Sequence, residues 1–138
     1  MAYNTDMAQA ARRNWAAAEK LYEDPHAAGA KPGNLAVAGY LYGLAGEMAL
    51  KKLIADSQVL AHQELERGLD PMWLHFPDLV RAISVALAGR RAHGLSTILS
   101  RPIFSTWAIK MRYGRTSDVQ IHWINTWRDN AREVIGYI

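Results

Sequence analysis

The second half of the 138-residue chain carries the side chains best suited to holding phosphate. From Phe76 onward the chain is net basic, mostly through arginine, whose planar guanidinium matches the geometry of a phosphate group. A polyanionic partner is one interpretation of this composition. The alternative is that these charges only solvate helix surfaces. The basic residues are Arg81, Arg90, Arg91, Arg101, Lys110, Arg112, Arg115, Arg128 and Arg132, against Asp78, Asp118, Asp129 and Glu133.

Several other chemistries lack the residues that they need. The chain has no cysteine, which excludes disulfides, thiolate zinc sites, iron–sulfur clusters and thiol nucleophiles. Its five histidines show no metal-ligand spacing, its glycines form no phosphate-binding loop, and its serines form no nucleophile elbow. We therefore expect neither a metal nor a cofactor. The histidines are His26, His62, His75, His93 and His122.

Three local patterns combine groups that can bind or transfer charge. Glu47 and Lys51 stand four residues apart in the favourable order for a helical ion pair. His75 precedes a proline by two positions, and Arg112 is followed directly by Tyr113. Each pattern also has a structural interpretation: a surface ion pair, a half-buried histidine bonded to backbone, and an arginine that packs on an aromatic ring near a helix end.

Helices must position these groups, because apolar residues recur every three or four positions and no segment alternates as a strand does. The spacing predicts helices over about residues 5–23, with Asp6 as N-cap, and 35–55. A third begins at Pro77 and runs toward residue 101, ended or bent at Gly89 and Gly94. The last begins with a capping box formed by Ser117 and Gln120. Residues 58–68 are helix-compatible before a turn near residues 68–71, and residues 103–111 form a short segment before a turn over 112–115.

The predicted fold is an all-α, antiparallel up-down helical bundle of four main helices plus short connecting helices, in one domain over residues 1–138. No apolar stretch reaches the roughly 20 residues needed to cross a bilayer, and no leader segment is evident at the start. We therefore expect a cytoplasmic protein without membrane insertion.

Small residues on the second helix and the tryptophans complete the expected core. Gly39, Gly43 and Gly46 form a smooth stripe along one helix face, which predicts close approach of another helix in the same chain or across a dimer. Helical spacing places Trp15, Trp107 and Trp127 in the core. The same spacing does not decide whether Trp73 and Trp123 pack in the core or stack on bases.

Four segments together resemble the HEPN domain family of nucleotide-binding helical domains. They are the helix with Glu47 and Lys51, the segment His75-Phe76-Pro77-Asp78-Leu79, the pair Arg112-Tyr113, and the final helix with Ala131-Arg132-Glu133-Val134-Ile135. The resemblance implies a ligand-binding surface that includes Glu47, Lys51, His75, Arg112 and Tyr113. It also implies a homodimer, a minimal nucleotidyltransferase as partner, and nucleotide or RNA as ligand.

Family members that are ribonucleases use an arginine, four to six residues, and then a histidine. Arg115 and His122 fit this spacing, with six residues between them. In that chemistry the histidine exchanges a proton with a ribose 2′-OH, and the arginine neutralises charge on the phosphorane without a metal.

Three functions follow as hypotheses. The first is a nucleotide- or RNA-binding module of a toxin–antitoxin type system. The second is a metal-independent endoribonuclease toxin that uses Arg115 and His122. The third is a structural protein that dimerises through the glycine stripe.

Overall fold

A computed structural model describes residues 4–57, 73–87 and 93–138, and in these ranges all regular structure is helical. The described helices are α1 (Met7–Leu21), α2 (Pro32–Ser57), α3 (Asp78–Leu87), α4 (His93–Ile98) and α5 (Ile121–Ile135), with short 3₁₀ helices at Ile109–Tyr113 and Thr116–Asp118. The predicted all-α fold class is therefore confirmed. The antiparallel up-down order and the single domain stay predictions.

The predicted helical segment 58–68, the turn near 68–71 and Gly89 lie outside the described residues. Among the helices that the structure describes, none combines the length and the apolar character needed to cross a bilayer.

The start of α1 agrees with the sequence, whereas the start of α5 does not. Asp6 is the N-cap of α1, and its Oδ1 accepts a hydrogen bond of 2.9 Å from the backbone N–H of Gln9. The capping box predicted at Ser117 is wrong, because Ser117 lies in a separate 3₁₀ helix and Gln120 is the N-cap of α5 without a side-chain bond. Val119 explains the difference: it packs against the core with extended backbone, which interrupts the helix.

The glycine stripe of α2 is covered by aromatic rings of the same chain. Added Cβ atoms at Gly39, Gly43 and Gly46 would meet Trp127 at 3.0 Å, Trp107 at 2.0 Å and Phe104 at 2.3 Å, respectively. The predicted close approach is therefore made by side chains rather than by a second helix backbone, and only Gly39 faces a helix, α5. Trp107 and Trp127 are buried as predicted, and Trp15 is half-buried beside the core.

Phe104 reaches Gly46 through a backbone conformation that few residues adopt. Its φ of 49° lies in the left-handed region, which costs a non-glycine residue roughly 1 kcal/mol or more. Asn130 on α5 compensates in part, because its Oδ1 accepts a hydrogen bond of 3.1 Å from the Phe104 N–H. The ring also stacks on Phe76 with centroids 4.6 Å apart. These contacts fix the segment that leads into the residue 109–119 turn.

A polar clamp joins α1, α2 and α5. Arg128 donates two hydrogen bonds to the Glu19 carboxylate, at 2.8 and 2.9 Å, and the Tyr42 hydroxyl donates a third at 2.7 Å. The Arg128 guanidinium also lies 4.1 Å from the centroid of the Tyr22 ring. The hydrogen bond from Arg128 lowers the pKa of Glu19, whereas burial, followed by the bond to Glu19, raises the pKa of Tyr42.

We expect Glu19→Gln to lower the free energy of unfolding by about 1–2 kcal/mol at neutral pH, because the charge-assisted bonds to Arg128 become neutral. A lowered folded-state pKa stabilises the fold at pH values above the ordinary value of 4.5, and this contribution is lost as pH falls through the lower value. The difference in unfolding free energy between Glu19→Gln and wild type should therefore shrink as pH falls below 4.5. Urea denaturation between neutral and acid pH measures it, and a difference that does not change with pH contradicts this role.

Candidate functional site

Three of the predicted ligand-binding residues form one cluster, the Glu47 cluster, at the junction of α2 with the segment before α3. Lys51 Nζ lies 3.1 Å from Glu47 Oε2, and His75 Nδ1 lies 2.8 Å from Glu47 Oε1. Glu47 and Lys51 are only 3% and 5% exposed. The pair is therefore not a surface ion pair, and His75 bonds to a carboxylate instead of to backbone.

The cluster fixes which nitrogen of His75 carries a proton. Lys51 Nζ donates to the other oxygen of the Glu47 side chain, and a carboxylate only accepts hydrogen bonds. His75 Nδ1 must therefore be the donor. The imidazole side chain is 45% exposed, and its second nitrogen, Nε2, is the one not engaged by Glu47. Nε2 accepts a proton or a hydrogen bond in the neutral ring and donates in the charged ring.

The other predicted binding residues, Arg112 and Tyr113, lie at the end of the first 3₁₀ helix. The Arg112 guanidinium sits 4.7 Å from the centroid of the Tyr113 ring. A hydrogen bond with the Tyr40 hydroxyl, and then the charge interaction with Tyr113, raise the pKa of Arg112. Arg112 and Tyr113 are exposed. This turn therefore presents a permanent cation and an aromatic ring to solvent.

An aromatic layer connects the Glu47 cluster to Arg112 along α2. The Tyr40 ring stacks on Trp107 with centroids 5.7 Å apart, and Trp107 meets Phe76 edge to face at 5.8 Å. Phe76 directly follows His75 in the chain. Tyr40 and Glu47 are seven residues apart, which places them on one side of α2 about 10 Å apart along its axis. Tyr40 and Glu47 thus place Arg112 and His75, respectively, at the same side of α2.

A cavity lined by described residues lies beside the same turn. This aromatic cavity has a volume of about 490 Å³ and is bounded by the residue 106–119 segment and α5. Its lining includes two cations, Lys110 and Arg115, and the rings of Tyr113, Trp123 and Trp127. The indoles of Trp123 and Trp127 have centroids 6.2 Å apart. One carboxylate, Asp118, also lines it and lies 3.4 Å from Arg115 Nε.

Of the two predicted catalytic residues, Arg115 lies at the aromatic cavity and His122 does not. Arg115 lines the aromatic cavity and also a smaller cavity of about 200 Å³ that includes Tyr40 and Arg112. His122, an exposed residue in the first turn of α5, lines neither of these two cavities. Its ring contacts that of Trp123, with centroids 5.8 Å apart.

Tyr40 and the place of Lys110 at the cavity were not predicted from the sequence, and the role of Trp123 was left open between packing and base stacking. The position of Trp123 beside Trp127 was predictable, since Trp123 stands four residues before Trp127 and thus one turn away on the same side of α5. The nearness of Lys110 to the predicted binding residues was also predictable, because Lys110 lies two residues before Arg112. Nothing local distinguished Tyr40 from Tyr42, the other tyrosine of α2, because the role of Tyr40 depends on Trp107 and Arg112.

Comparison of the chain with models of known families, with curated proteins and with solved structures gave no match. The geometry described above is therefore the basis for a functional interpretation.

Proposed function

We propose that the chain is a HEPN-like helical module that binds a nucleotide, or a nucleotide unit of RNA, in the aromatic cavity. The observation that carries this proposal is the lining of that cavity, which combines aromatic rings with cations. Its volume of about 490 Å³ lies in the range of roughly 300–1,000 Å³ typical of small-molecule sites.

Each part of the lining suits one part of a nucleotide. The exposed ring of Tyr113 and the half-buried indole of Trp123 offer faces on which a base can stack, which contributes about 1–3 kcal/mol per base. Lys110 and Arg115 are cations with long side chains at the cavity, and both can contact phosphate. Asp118 limits how many negative charges fit beside Arg115, which favours a ligand with a single phosphate there.

The proposed function is binding of the ligand without its cleavage. A ribonuclease site needs its histidine and arginine around one phosphate, whereas Arg115 lines two cavities from which His122 is absent. The structural alternative has less support, because aromatic rings of the same chain occupy the glycine stripe. The homodimer and the nucleotidyltransferase partner remain part of the proposal, through the resemblance alone.

Calorimetric titration with AMP tests the proposal. We expect Trp123→Ala to weaken binding about tenfold or more, through lost stacking, and Arg115→Ala to weaken it about threefold to tenfold. Arg12→Ala, which removes an exposed arginine of α1, is the matched control and should bind like the wild type. Absence of AMP binding to the wild type, or equal losses in Arg12→Ala and Arg115→Ala, contradicts the proposal.

A further inference from the structure

The smaller cavity adjoins the aromatic cavity, and one arginine belongs to both. Met111, Gly114, Arg115 and Val119 line each of the two cavities. The cavities therefore meet along the turn between the two 3₁₀ helices, with Arg115 at their boundary. A ligand that occupies the aromatic cavity and contacts Arg115 thus reaches the edge of a second space.

The smaller cavity has a positively charged lining. Arg112 and Arg115 line it, together with Tyr40 and Thr116, which carry hydroxyl groups. None of the described residues in its lining is acidic, whereas the aromatic cavity includes Asp118. Guanidinium groups bind phosphate oxygens through charge-assisted hydrogen bonds, and hydroxyl groups donate to them as well. This combination suits a small oxyanion.

The volume of the smaller cavity limits what it can hold. It is about 200 Å³, below the roughly 300–1,000 Å³ typical of sites that hold a whole small molecule. Tyr40 is the only aromatic residue among those described in its lining, and one face of this ring is stacked on Trp107. The space therefore suits a phosphate group and not a second nucleoside.

The turn holds Arg112 in place before any ligand binds. The Gly114 N–H donates a hydrogen bond of 3.0 Å to the Met111 carbonyl, which closes the first 3₁₀ helix directly after Arg112. The guanidinium bonds to the Tyr40 hydroxyl of α2 and lies 4.7 Å from the centroid of the Tyr113 ring. A side chain that is already positioned loses less conformational freedom when it binds an anion.

We infer that the smaller cavity binds a second phosphate group, so that the ligand is a nucleoside diphosphate rather than a monophosphate or a unit of RNA. The inference rests on the proposed function of the aromatic cavity and narrows it. The base stacks in the aromatic cavity, the first phosphate lies at Arg115, and the second enters the smaller cavity beside Arg112. In an RNA strand another nucleoside follows the phosphate, and the smaller cavity has no room for it.

Calorimetric titration with ADP and with AMP at neutral pH, without added divalent cations, tests the inference. We expect the wild type to bind ADP about tenfold more tightly than AMP, because the second phosphate gains a charge-assisted contact with an exposed arginine. Arg112→Gln should remove most of this preference, since glutamine keeps hydrogen-bonding capacity but not the charge.

Gly33, in the first turn of α2, offers a matched pair of variants that leave both arginines in place. Gly33 lines the smaller cavity but not the aromatic cavity, and no atom lies within 4 Å of a Cβ added there. Gly33→Asp brings a carboxylate to the smaller cavity and should reduce the preference for ADP to about twofold or less. Gly33→Asn, of nearly the same size, should keep most of it. An acidic residue in the first turn is favourable for a helix, so the melting temperature of Gly33→Asp should not fall.

The possible results separate the two proposals. If the wild type binds AMP and ADP equally well, the inference is wrong while the aromatic cavity stands. The same holds if the preference for ADP survives in Arg112→Gln and Gly33→Asp, or if Gly33→Asn loses it to the same extent as Gly33→Asp. If ADP binding depends on Arg112 but is unchanged by Trp123→Ala, the role of the aromatic cavity is wrong. If neither nucleotide binds to the wild type, both proposals are wrong.

Discussion

Replacement of Lys51 by methionine is expected to lower the free energy of unfolding by about 3 kcal/mol. The side chain is almost fully buried and bonds to Glu47, which is equally buried. Methionine fills a similar volume but leaves the Glu47 carboxylate with a buried charge and without its ammonium partner. Removal of one partner of a buried pair typically costs roughly 3–5 kcal/mol, and the remaining bond from His75 places this case at the lower end. Urea denaturation measures the loss.

The neighbouring residue provides a matched control. Lys52 also pairs with an acid four residues later, Asp56, at 2.9 Å, but its side chain is 40% exposed. Lys52→Met should therefore change stability by no more than about 0.5 kcal/mol. The double replacement Glu47→Leu with Lys51→Met should recover much of the loss, because no buried charge remains unpaired. Equal effects of Lys51→Met and Lys52→Met would show that the Glu47 cluster is not buried.

Gly43→Ala should destabilise the fold by about 2 kcal/mol, although alanine is the better helix former. The new Cβ would lie 2.0 Å from Nε1 and Cε2 of Trp107, which is buried between Tyr40 and Phe76. A rigid indole so enclosed cannot move without disturbing its neighbours, and overpacking of this kind costs roughly 1–3 kcal/mol or more. The gain in helix propensity of up to about 1 kcal/mol offsets only part of this. Thermal unfolding measures the result, with an expected drop of about 8 °C.

Gly33→Ala is the contrasting substitution on the same helix. No atom lies within 4 Å of a Cβ added there, so this change should leave stability unchanged or raise it by a few tenths of a kcal/mol. Replacement of Trp107 by leucine should cost less in a Gly43→Ala background than in the wild type, because the steric conflict is then relieved. If Gly33→Ala and Gly43→Ala have the same effect, Trp107 does not cover the stripe.

Local features of the fold were predictable from the sequence, whereas the partners of each element were not. Asp6 signalled the start of α1 because an N-cap depends on residues within one turn. The glycines of α2 indicated a close contact, but not that rings would fill it. The position of Trp107 and Phe104 depends on Asn130 and on the left-handed backbone of Phe104, which are contacts between distant parts of the chain. The false capping box shows the same limit, since packing of Val119 overrode a local signal.

In the candidate site, too, residue identities were predictable from the sequence and tertiary contacts were not. Residue types and order named Glu47, Lys51, His75, Arg112 and Tyr113, and the structure joins the first three in one cluster and places Arg112 beside Tyr113. Burial of the Glu47 pair was not predictable, because an ion pair four residues apart has the same sequence pattern at a surface and in a core. The aromatic cavity likewise depends on how the residue 106–119 segment meets α5. Its residues are separated in sequence by turns whose geometry is set by tertiary packing.

The central claim is that the aromatic cavity holds a nucleotide, and the indole N–H signals of the tryptophans test it most directly. In a two-dimensional ¹H–¹⁵N spectrum, each of the five tryptophans gives one indole signal. On addition of AMP we expect the signals of Trp123 and Trp127 to shift with one common affinity. The signal of Trp15, which packs on Tyr42 and does not line the cavity, should stay in place. Arg115→Ala should weaken the affinity read from both signals. Shifts confined to Trp15, or no shift of Trp123 at saturating AMP, would contradict the account.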